Sequence, residues 1–525
     1  MPRTVWWLGY WHAGERIYWW TTCISPDVSR DELREHVQAL VTPATWETCV
    51  DPAWTMDRPG EVEAAFVAAG AVDRAAVEPH LATLEAGVPV QTDPDLAARQ
   101  ESLERRRKRA ADLSSLLGTL PPEARADQST DLLVETIILN RQSARLRRRA
   151  VRDSLARSWA GPLVEPVENR ALCTALGKLL VPSVLREYLV ASDPDEPDPA
   201  TTVVIAPGPD LGRVPWELLT LVDDVRLVER AVLRGGLSPA TVADLALPAA
   251  PDISDGPGLL VIDPDTAGVP GRAMPVYPHG VPDDWDRTNH HRRTDALVGR
   301  RWNTPGYANR SGCTRAELSD LLRSRPWGRF VFHGHVTSGD RYSPTAAAIV
   351  LQPPTGPGET PMTTSDGRAL EAPSHTGEIS ARVWLHEPTR WPMPRRVAFV
   401  ACQSDDTGYV EQTGLTLAAA NAGARVVITT RWTLPTDSTS QTTESAPVGP
   451  GPTTAIALAV DEALCAPDPV TALRSRQLAE LRRWREASTP EQRRRHAPLL
   501  WSALVTYVLP ATSSSTSLDP DATPP

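Results

Sequence analysis

The chain has 525 residues, 41% hydrophobic and 23% charged, which is enough for about two or three domains with ordinary cores. Its 54 Lys and Arg against 65 Asp and Glu give a net charge of −11, which argues against a nucleic-acid binder. The 6 cysteines include no CxxC pair, so we expect neither a disulfide framework nor a zinc ribbon, but a reducing, cytoplasmic compartment. No signal peptide and no membrane span are expected, because no apolar run approaches ~18 residues.

The N-terminal third predicts a hairpin followed by helices. Residues 4–10 and 16–22 are rich in Trp and flank a turn at Gly14, which predicts a β-hairpin within residues 1–28. Leucines at helical spacing predict a mainly helical region over residues 29–170. The arginine-rich runs of this region lie among Glu, Asp and Leu, and we interpret them as solvated helix faces. At the other end, residues 512–525 are of low complexity and predict a disordered tail.

From residue 171 to residue 511, short β-branched runs alternate with helical patterns. This alternation predicts an α/β domain with a largely parallel sheet flanked by helices. The predicted strands are 202–206, 259–263, 329–332, 347–351, 397–401, 425–430 and 503–509. The predicted helices are 315–324, 414–424, 452–466 and 470–486, and the predicted surface loops are 264–312, 352–380 and 437–452.

Two of the predicted strands end at a reactive side chain. Strand 329–332 runs into His333 and His335, and strand 397–401 runs into Cys402. Active sites of open α/β sheets lie at the carboxyl ends of the strands. A thiol beside an imidazole is the pair of catalytic groups that a cysteine-nucleophile hydrolase needs. From the residues alone two other interpretations stay open: a buried, inert cysteine, and a zinc site of His333, His335 and Cys402.

An ordered set of short motifs spans the predicted α/β domain. The motifs occupy residues 179–182, 203–219, 234–245, 332–336, 401–402, 414–415, 422–427, 431–435 and 500–503. Each motif alone is weak, but together and in this order they resemble the CHAT family of caspase-like (clan CD) cysteine peptidases. That family is related to separase and includes the protease partner of some CRISPR effectors. The resemblance implies a two-lobed caspase-like domain over residues 171–511, preceded by the hairpin strands.

The resemblance also assigns roles to residues. It implies that His335 is the catalytic base and Cys402 the nucleophile, with the backbone N–H groups of Val336 and Cys402 forming the oxyanion hole. His333 occupies a variable position of the family motif, so its match to a base is interpreted as accidental. Two departures from the family affect local geometry: Val336 stands where the family has Gly, and the segment 403–408 is longer than usual. No cofactor and no metal are implied.

The function that the resemblance implies is a bacterial cysteine endopeptidase that cleaves a protein substrate, in defence or regulated cell death. The chain contains no recognisable sensor, so an activating or regulatory protein in trans is expected, and no direct contact with nucleic acid. Asp405, Asp406 and Asp437 lie in loops at the catalytic edge, where an acidic pocket would select Arg or Lys at P1; the alternative is ordinary solvated carboxylates. The alternative function is a catalytically silent caspase-like signalling or scaffold module.

Overall fold

The structure is a computed structural model. It describes residues 4–13, 15–24, 65–87, 159, 161–191, 201–208, 211–237, 250–253, 256–262, 296–299, 313–337, 347–352, 377–401, 414–432, 434–435 and 452–509. Within these ranges no helix has the length and apolar character needed to cross a membrane. The predictions for the tail 512–525 and for most of the region between residues 29 and 158 lie outside the described residues.

Sixteen strands are described, and eleven of them form one sheet. In chain order the strands are β1 (Thr4–Ala13), β2 (Arg16–Ile24), β3 (Ala65–Asp73), β4 (Thr201–Ala206), β5 (Thr220–Val222), β6 (Val225–Arg226), β7 (Val232–Gly235), β8 (Gly258–Ile262), β9 (Ala296–Gly299), β10 (Arg329–Gly334), β11 (Val336–Thr337), β12 (Ala348–Val350), β13 (Glu378–Ser380), β14 (Arg396–Ala401), β15 (Val426–Thr430) and β16 (Leu504–Val508). The order in the main sheet is β3-β2-β1-β4-β7-β16-β15-β14-β10-β8-β9.

The main sheet consists of two parallel halves. Strands β15, β14, β10, β8 and β9 are parallel to their neighbours, and so are β16, β7, β4 and β1. The halves meet at the antiparallel pair of β15 and β16, and β2 and β3 extend the sheet in antiparallel fashion beyond β1. The prediction of a largely parallel sheet in an α/β fold is confirmed, and the N-terminal hairpin is part of that same sheet.

The described helices cover the sheet or connect its strands. They are α1 (Arg74–Gly87), α2 (Pro166–Leu180), α3 (Ser183–Ala191), α4 (Leu227–Arg230), α5 (Arg315–Ser324), α6 (Ala381–His386), α7 (Leu415–Asn421), α8 (Pro452–Cys465), α9 (Pro469–Glu486), α10 (Pro490–Arg495) and α11 (Pro498–Trp501). Helix α5 has the predicted bounds and begins at its predicted capping box: the Thr314 hydroxyl accepts from the Glu317 N–H at 3.3 Å, and Glu317 Oε2 accepts from the Thr314 N–H at 2.9 Å. The other three predicted helices are confirmed with small shifts of their ends.

Several strand predictions need correction. The predicted strand 347–351 is β12, which belongs to a separate antiparallel sheet with β11 and β13 rather than to the main sheet. Two predicted loops contain strands: loop 264–312 contains β9, which is paired with β8, and loop 352–380 ends in β13, which is paired with β12. Strand β3 was not predicted, because its sequence is rich in Ala and Gly and lacks the β-branched pattern; its pairing with β2 determines its conformation.

Both faces of the sheet around β10 and β14 are buried in apolar clusters. Alternate residues of the two strands, such as Val331 and Ala398, join one cluster, while Phe330, Phe332 and Phe399 join the other. The ring of Phe399 makes an edge contact with that of Phe330, with centroids 6.1 Å apart. Because every residue of the two strands is buried, their backbones are held firmly on both sides.

Candidate active site

The carboxyl ends of β10 and β14 lie side by side at one edge of the sheet. The two strands are parallel neighbours, and their register runs from Arg329 opposite Arg396 to Gly334 opposite Ala401. The strands therefore end at the same level. His335 follows Gly334 directly, and Cys402 follows Ala401 directly in the sequence. Cys402, Asp405, Asp406 and Asp437 lie outside the described residues.

His335 is half-buried and lies between two strands. Its backbone is held by the small sheet, since the His335 carbonyl accepts from the N–H of Val350 at 2.9 Å and the next residue, Val336, pairs with Ile349. This second ladder is why the chain continues as β11 beyond the main sheet. The backbone of His335 is therefore held by strand pairing on both sides along the chain: β10 pairs with β14 before it, and β11 pairs with β12 after it.

Val336 lies in β11 and does not have a positive, left-handed φ angle. Its side chain is buried, and among the described residues other than glycine only Asp223 has a positive φ, of 49°. The left-handed region is the conformation for which a glycine would be preferred. The replacement of the family's Gly by Val336 therefore introduces no backbone strain at this position.

His333 is a buried residue that bridges the two strands. Its Nδ1 lies 2.9 Å from the carbonyl oxygen of Val400, and only 2% of the residue is exposed. A carbonyl oxygen can only accept, so Nδ1 carries the proton and donates to Val400. His333 thus links β10 to β14 through a side-chain hydrogen bond.

Thr430, the last residue of β15, makes a similar contact from the other side of β14. Its hydroxyl donates to the carbonyl oxygen of Ala401, and the residue is fully buried. Thr430 was not among the site residues predicted from the sequence. The available signal was a polar residue at the end of a buried apolar run, which is common and does not by itself identify a partner.

Arg431 extends this buried polar region toward the other half of the sheet. Its guanidinium donates to Glu217 Oε1 at 2.8 Å and to the carbonyl oxygen of Val214, and both Arg431 and Glu217 are buried. A fully buried ion pair of this kind depends on both partners, because either charge alone would be costly to bury. The pair ties the end of β15 to the segment that follows β4.

The opposite, amino ends of β10 and β14 carry two buried arginines. Arg329 Nε donates to Asp461 Oδ1 of α8 at 2.6 Å, and Arg396 donates to the carbonyl oxygen of Leu464 at 2.8 Å and pairs with Asp252 at 3.2 Å. Burial lowers the pKa of Arg329, but the Asp461 carboxylate raises it further, so that the net pKa lies above the usual value. These contacts fix α8 under the sheet.

Two described cysteines are poor nucleophiles. Burial raises the pKa of Cys173 to about 11, although the neighbouring Arg226 lowers it in part, and burial raises the pKa of Cys313 to about 12. A thiol with so high a pKa is almost entirely protonated at neutral pH, and the thiolate is the reactive form. Neither cysteine therefore competes with a thiol at the carboxyl edge of the sheet.

The described residues contain no cluster of three or more His, Cys, Asp or Glu side chains that could hold a metal ion. Cys402, one of the three ligands in the zinc interpretation, is outside that set. His333 Nδ1 is already engaged with a backbone carbonyl.

Comparison with known proteins identifies the family. The profile of the CHAT domain matches residues 170–508, which is more than half of the chain. The chain therefore belongs to the CHAT domain family, as the ordered motifs predicted. No match is found among curated proteins.

A search of solved structures finds the Saccharomyces cerevisiae separase–securin complex. The matched chain has 10% sequence identity and a TM-score of 0.32, and the alignment covers 96% of this chain and 30% of that chain. This chain thus spans less than a third of the length of the matched one.

Proposed function

We propose that this protein is a cysteine endopeptidase whose catalytic dyad is His335 and Cys402. The observation that carries the proposal is the register of β10 and β14, in which Gly334 is opposite Ala401. Each dyad residue is one peptide bond, about 3.8 Å, beyond a member of this pair. Neighbouring strands are about 4.8 Å apart, so the two chains leave the sheet within reach of each other.

The reaction follows from the two side chains. His335 takes the proton of the Cys402 thiol, and the thiolate attacks a peptide carbonyl of the substrate to form a tetrahedral intermediate. His335 then gives the proton to the leaving amine, and water hydrolyses the thioester with His335 as base. The N–H groups of Cys402 and Val336 would donate to the oxyanion, a contribution worth several kcal/mol when such donors are positioned in advance.

The substrate is proposed to be a protein, and its P1 residue to be basic. Asp405 and Asp406, which follow β14 in the sequence, and Asp437, which follows β15, would supply the negative charge for this preference. We further propose a role in bacterial defence or regulated cell death in the cytoplasm, with an activator in trans. The free thiols of Cys173 and Cys313 support a reducing compartment.

The test is peptide cleavage by the purified full chain. A fluorogenic peptide library that varies P1 is assayed with the wild type, Cys402→Ala and a matched control, Cys465→Ala, which removes a half-buried thiol at the end of α8. We expect Cys402→Ala to reduce cleavage to background and Cys465→Ala to leave it unchanged. Equal activity of the wild type and Cys402→Ala would refute the proposal, and cleavage only after apolar residues would refute the basic P1.

A thiol-directed probe separates a catalytic from a silent module. Iodoacetamide labelling of the full chain, followed by peptide mapping, reports whether Cys402 is alkylated faster than Cys465 near neutral pH. A cysteine beside a base reacts as the thiolate, and we expect preferential labelling. No labelling of Cys402 together with no cleavage would favour the scaffold function.

A further inference from the structure

The last two carbonyls of β14 are both held by side chains from the flanking strands. His333 of β10 donates to the Val400 carbonyl at 2.9 Å, and Thr430 of β15 donates to the Ala401 carbonyl. The two donors are buried, with His333 2% exposed and Thr430 fully buried. Two adjacent carbonyls on one strand are thus bound from opposite sides, immediately before Cys402.

The contact from Thr430 occurs where the backbone ladder has ended. The pairing of β14 with β15 runs from Arg396 opposite Val426 to Ala398 opposite Ile428, and Ala401 lies three residues beyond it. A buried carbonyl requires a hydrogen-bond donor, which in a sheet is normally a backbone N–H of the next strand. The Thr430 hydroxyl supplies that donor, so a side-chain hydroxyl takes the place of the backbone N–H at this edge of the sheet.

The Ala401 carbonyl and the Cys402 N–H belong to one peptide group. A peptide group is planar and, before a residue other than proline, trans, so its C=O and N–H point in opposite directions. A donor that holds the carbonyl therefore also sets the direction of the N–H. In the proposed mechanism, this N–H is one of the two donors to the oxyanion.

We infer that Thr430 is a positioning residue that orients the Cys402 N–H toward the oxyanion, and that His333 supports the preceding peptide in the same way. The inference rests on the proposed function, since it takes Cys402 as the nucleophile. Thr430 does not touch the substrate; it acts through the peptide group of Ala401 and Cys402. Loss of this buried hydroxyl, on the strand next to the one that ends at the nucleophile, should therefore slow the reaction.

The chain offers a matched control for this hydroxyl. Thr429 is also fully buried on β15, one residue earlier, and its hydroxyl oxygen makes no hydrogen bond to the described residues. Val has nearly the shape of Thr without the hydroxyl. Thr430→Val, Thr430→Ser and Thr429→Val therefore compare loss of the donor, its retention, and an equivalent change that removes no hydrogen bond among the described residues.

Three measurements are made on the full chain. Turnover of the best library peptide is expected to fall about 10-fold to 10²-fold in kcat for Thr430→Val, with KM changed less than about threefold. The loss is smaller than for removal of an oxyanion donor, because the Cys402 N–H is still present and has lost only its orientation. Thr430→Ser and Thr429→Val should stay near the wild type. The rate of Cys402 alkylation by iodoacetamide, a reaction without an oxyanion, should be the same in all four proteins.

Hydrogen–deuterium exchange reports on how firmly the Cys402 N–H is held, and it does not require turnover of a substrate. Exchange of the peptide that contains Cys402 should be faster in Thr430→Val than in the wild type, Thr430→Ser and Thr429→Val. If the wild type cleaves no peptide, or if Cys402→Ala cleaves as well as the wild type, the proposed function fails and exchange alone decides the positioning. Unchanged exchange, a kcat unaffected by Thr430→Val, failure of Ser to restore kcat, or a parallel loss of alkylation would each overturn the inference.

Discussion

The two ends of β10 and β14 differ in how their polar side chains are used. At the amino ends, Arg329 and Arg396 are buried and bind Asp461, Asp252 and backbone carbonyls near the end of α8. At the carboxyl ends, His333 donates to a strand carbonyl and His335 is half-buried at the sheet edge. The amino ends therefore anchor a helix, whereas the carboxyl ends orient backbone and present an imidazole. Under the proposed function, the amino ends of these two strands contribute stability and the carboxyl ends carry the reaction.

The largest effect should come from His335. His335→Ala removes the proposed base, and general acid–base catalysis by one side chain contributes about 10²–10⁴-fold, so we expect kcat/KM to fall about 10³-fold or more. Thermal unfolding of the variant should be that of the wild type. The control is His386→Ala, which removes an exposed imidazole at the end of α6 and should leave both measurements unchanged. A wild-type rate for His335→Ala would contradict the contrast between the two ends.

The next effect should be on stability, at the amino end. Asp461→Ala leaves Arg329 charged, buried and unpaired, so the free energy of unfolding should fall by about 3–5 kcal/mol in denaturant titrations. The kcat of the protein that remains folded should not change. Glu462→Ala, which alters the exposed neighbour, is the control and should have little effect. The double variant Arg329→Met with Asp461→Leu should recover most of the loss, since the buried charge is gone.

A smaller effect on both stability and rate is expected for His333. His333→Leu removes the donor to Val400, which should lower the free energy of unfolding by about 1–2 kcal/mol and kcat by about tenfold. His333→Asn keeps a donor at the position of Nδ1 and should recover part of both losses. If His333→Leu is as damaging to kcat as His335→Ala, then the base has been assigned to the wrong histidine.

The smallest effect should lie far from either strand end, in the cluster around Glu480. Burial raises the pKa of Glu480, but the hydrogen bond from His496 and the charges of Arg476 and Arg483 lower it more, so the net pKa lies below the usual value. A carboxyl with a lowered folded pKa stabilises the protein above its unfolded pKa, and this contribution is lost as pH falls through the folded pKa.

Glu480→Gln should therefore lower the free energy of unfolding by about 1.5 kcal/mol at pH 7. The difference from the wild type should shrink when the pH falls below about 4, near the ordinary pKa of glutamate. Denaturant titrations at several pH values measure it, and the exposed Glu486→Gln is the control. A difference that grows on acidification would show that the sign of the pKa shift is wrong.

The sequence predicted the elements better than the contacts between them. The start of α5 follows from a local signal, Thr314 and Glu317, which lie three residues apart. The strands that carry the site were also local apolar runs. By contrast, the partner of His333 is 67 residues away, and that of Thr430 is 29 residues away, so both depend on which strands become neighbours. The assignment of β12 to a second sheet was missed for the same reason.

The strand at the middle of the sheet is the last one to be synthesised among those described. Strand β16 has five strands on each side of it, and all of them precede it in the chain. Without β16, the described pairings leave two half-sheets that share no hydrogen-bonded strand. The contact between Leu504 and Thr430 spans 74 residues, and the contact between Tyr507 and Gly235 spans 272 residues. Contacts between such distant residues slow folding. The two half-sheets can therefore become one continuous sheet only after β16 has been made, which is late in the synthesis of the described residues.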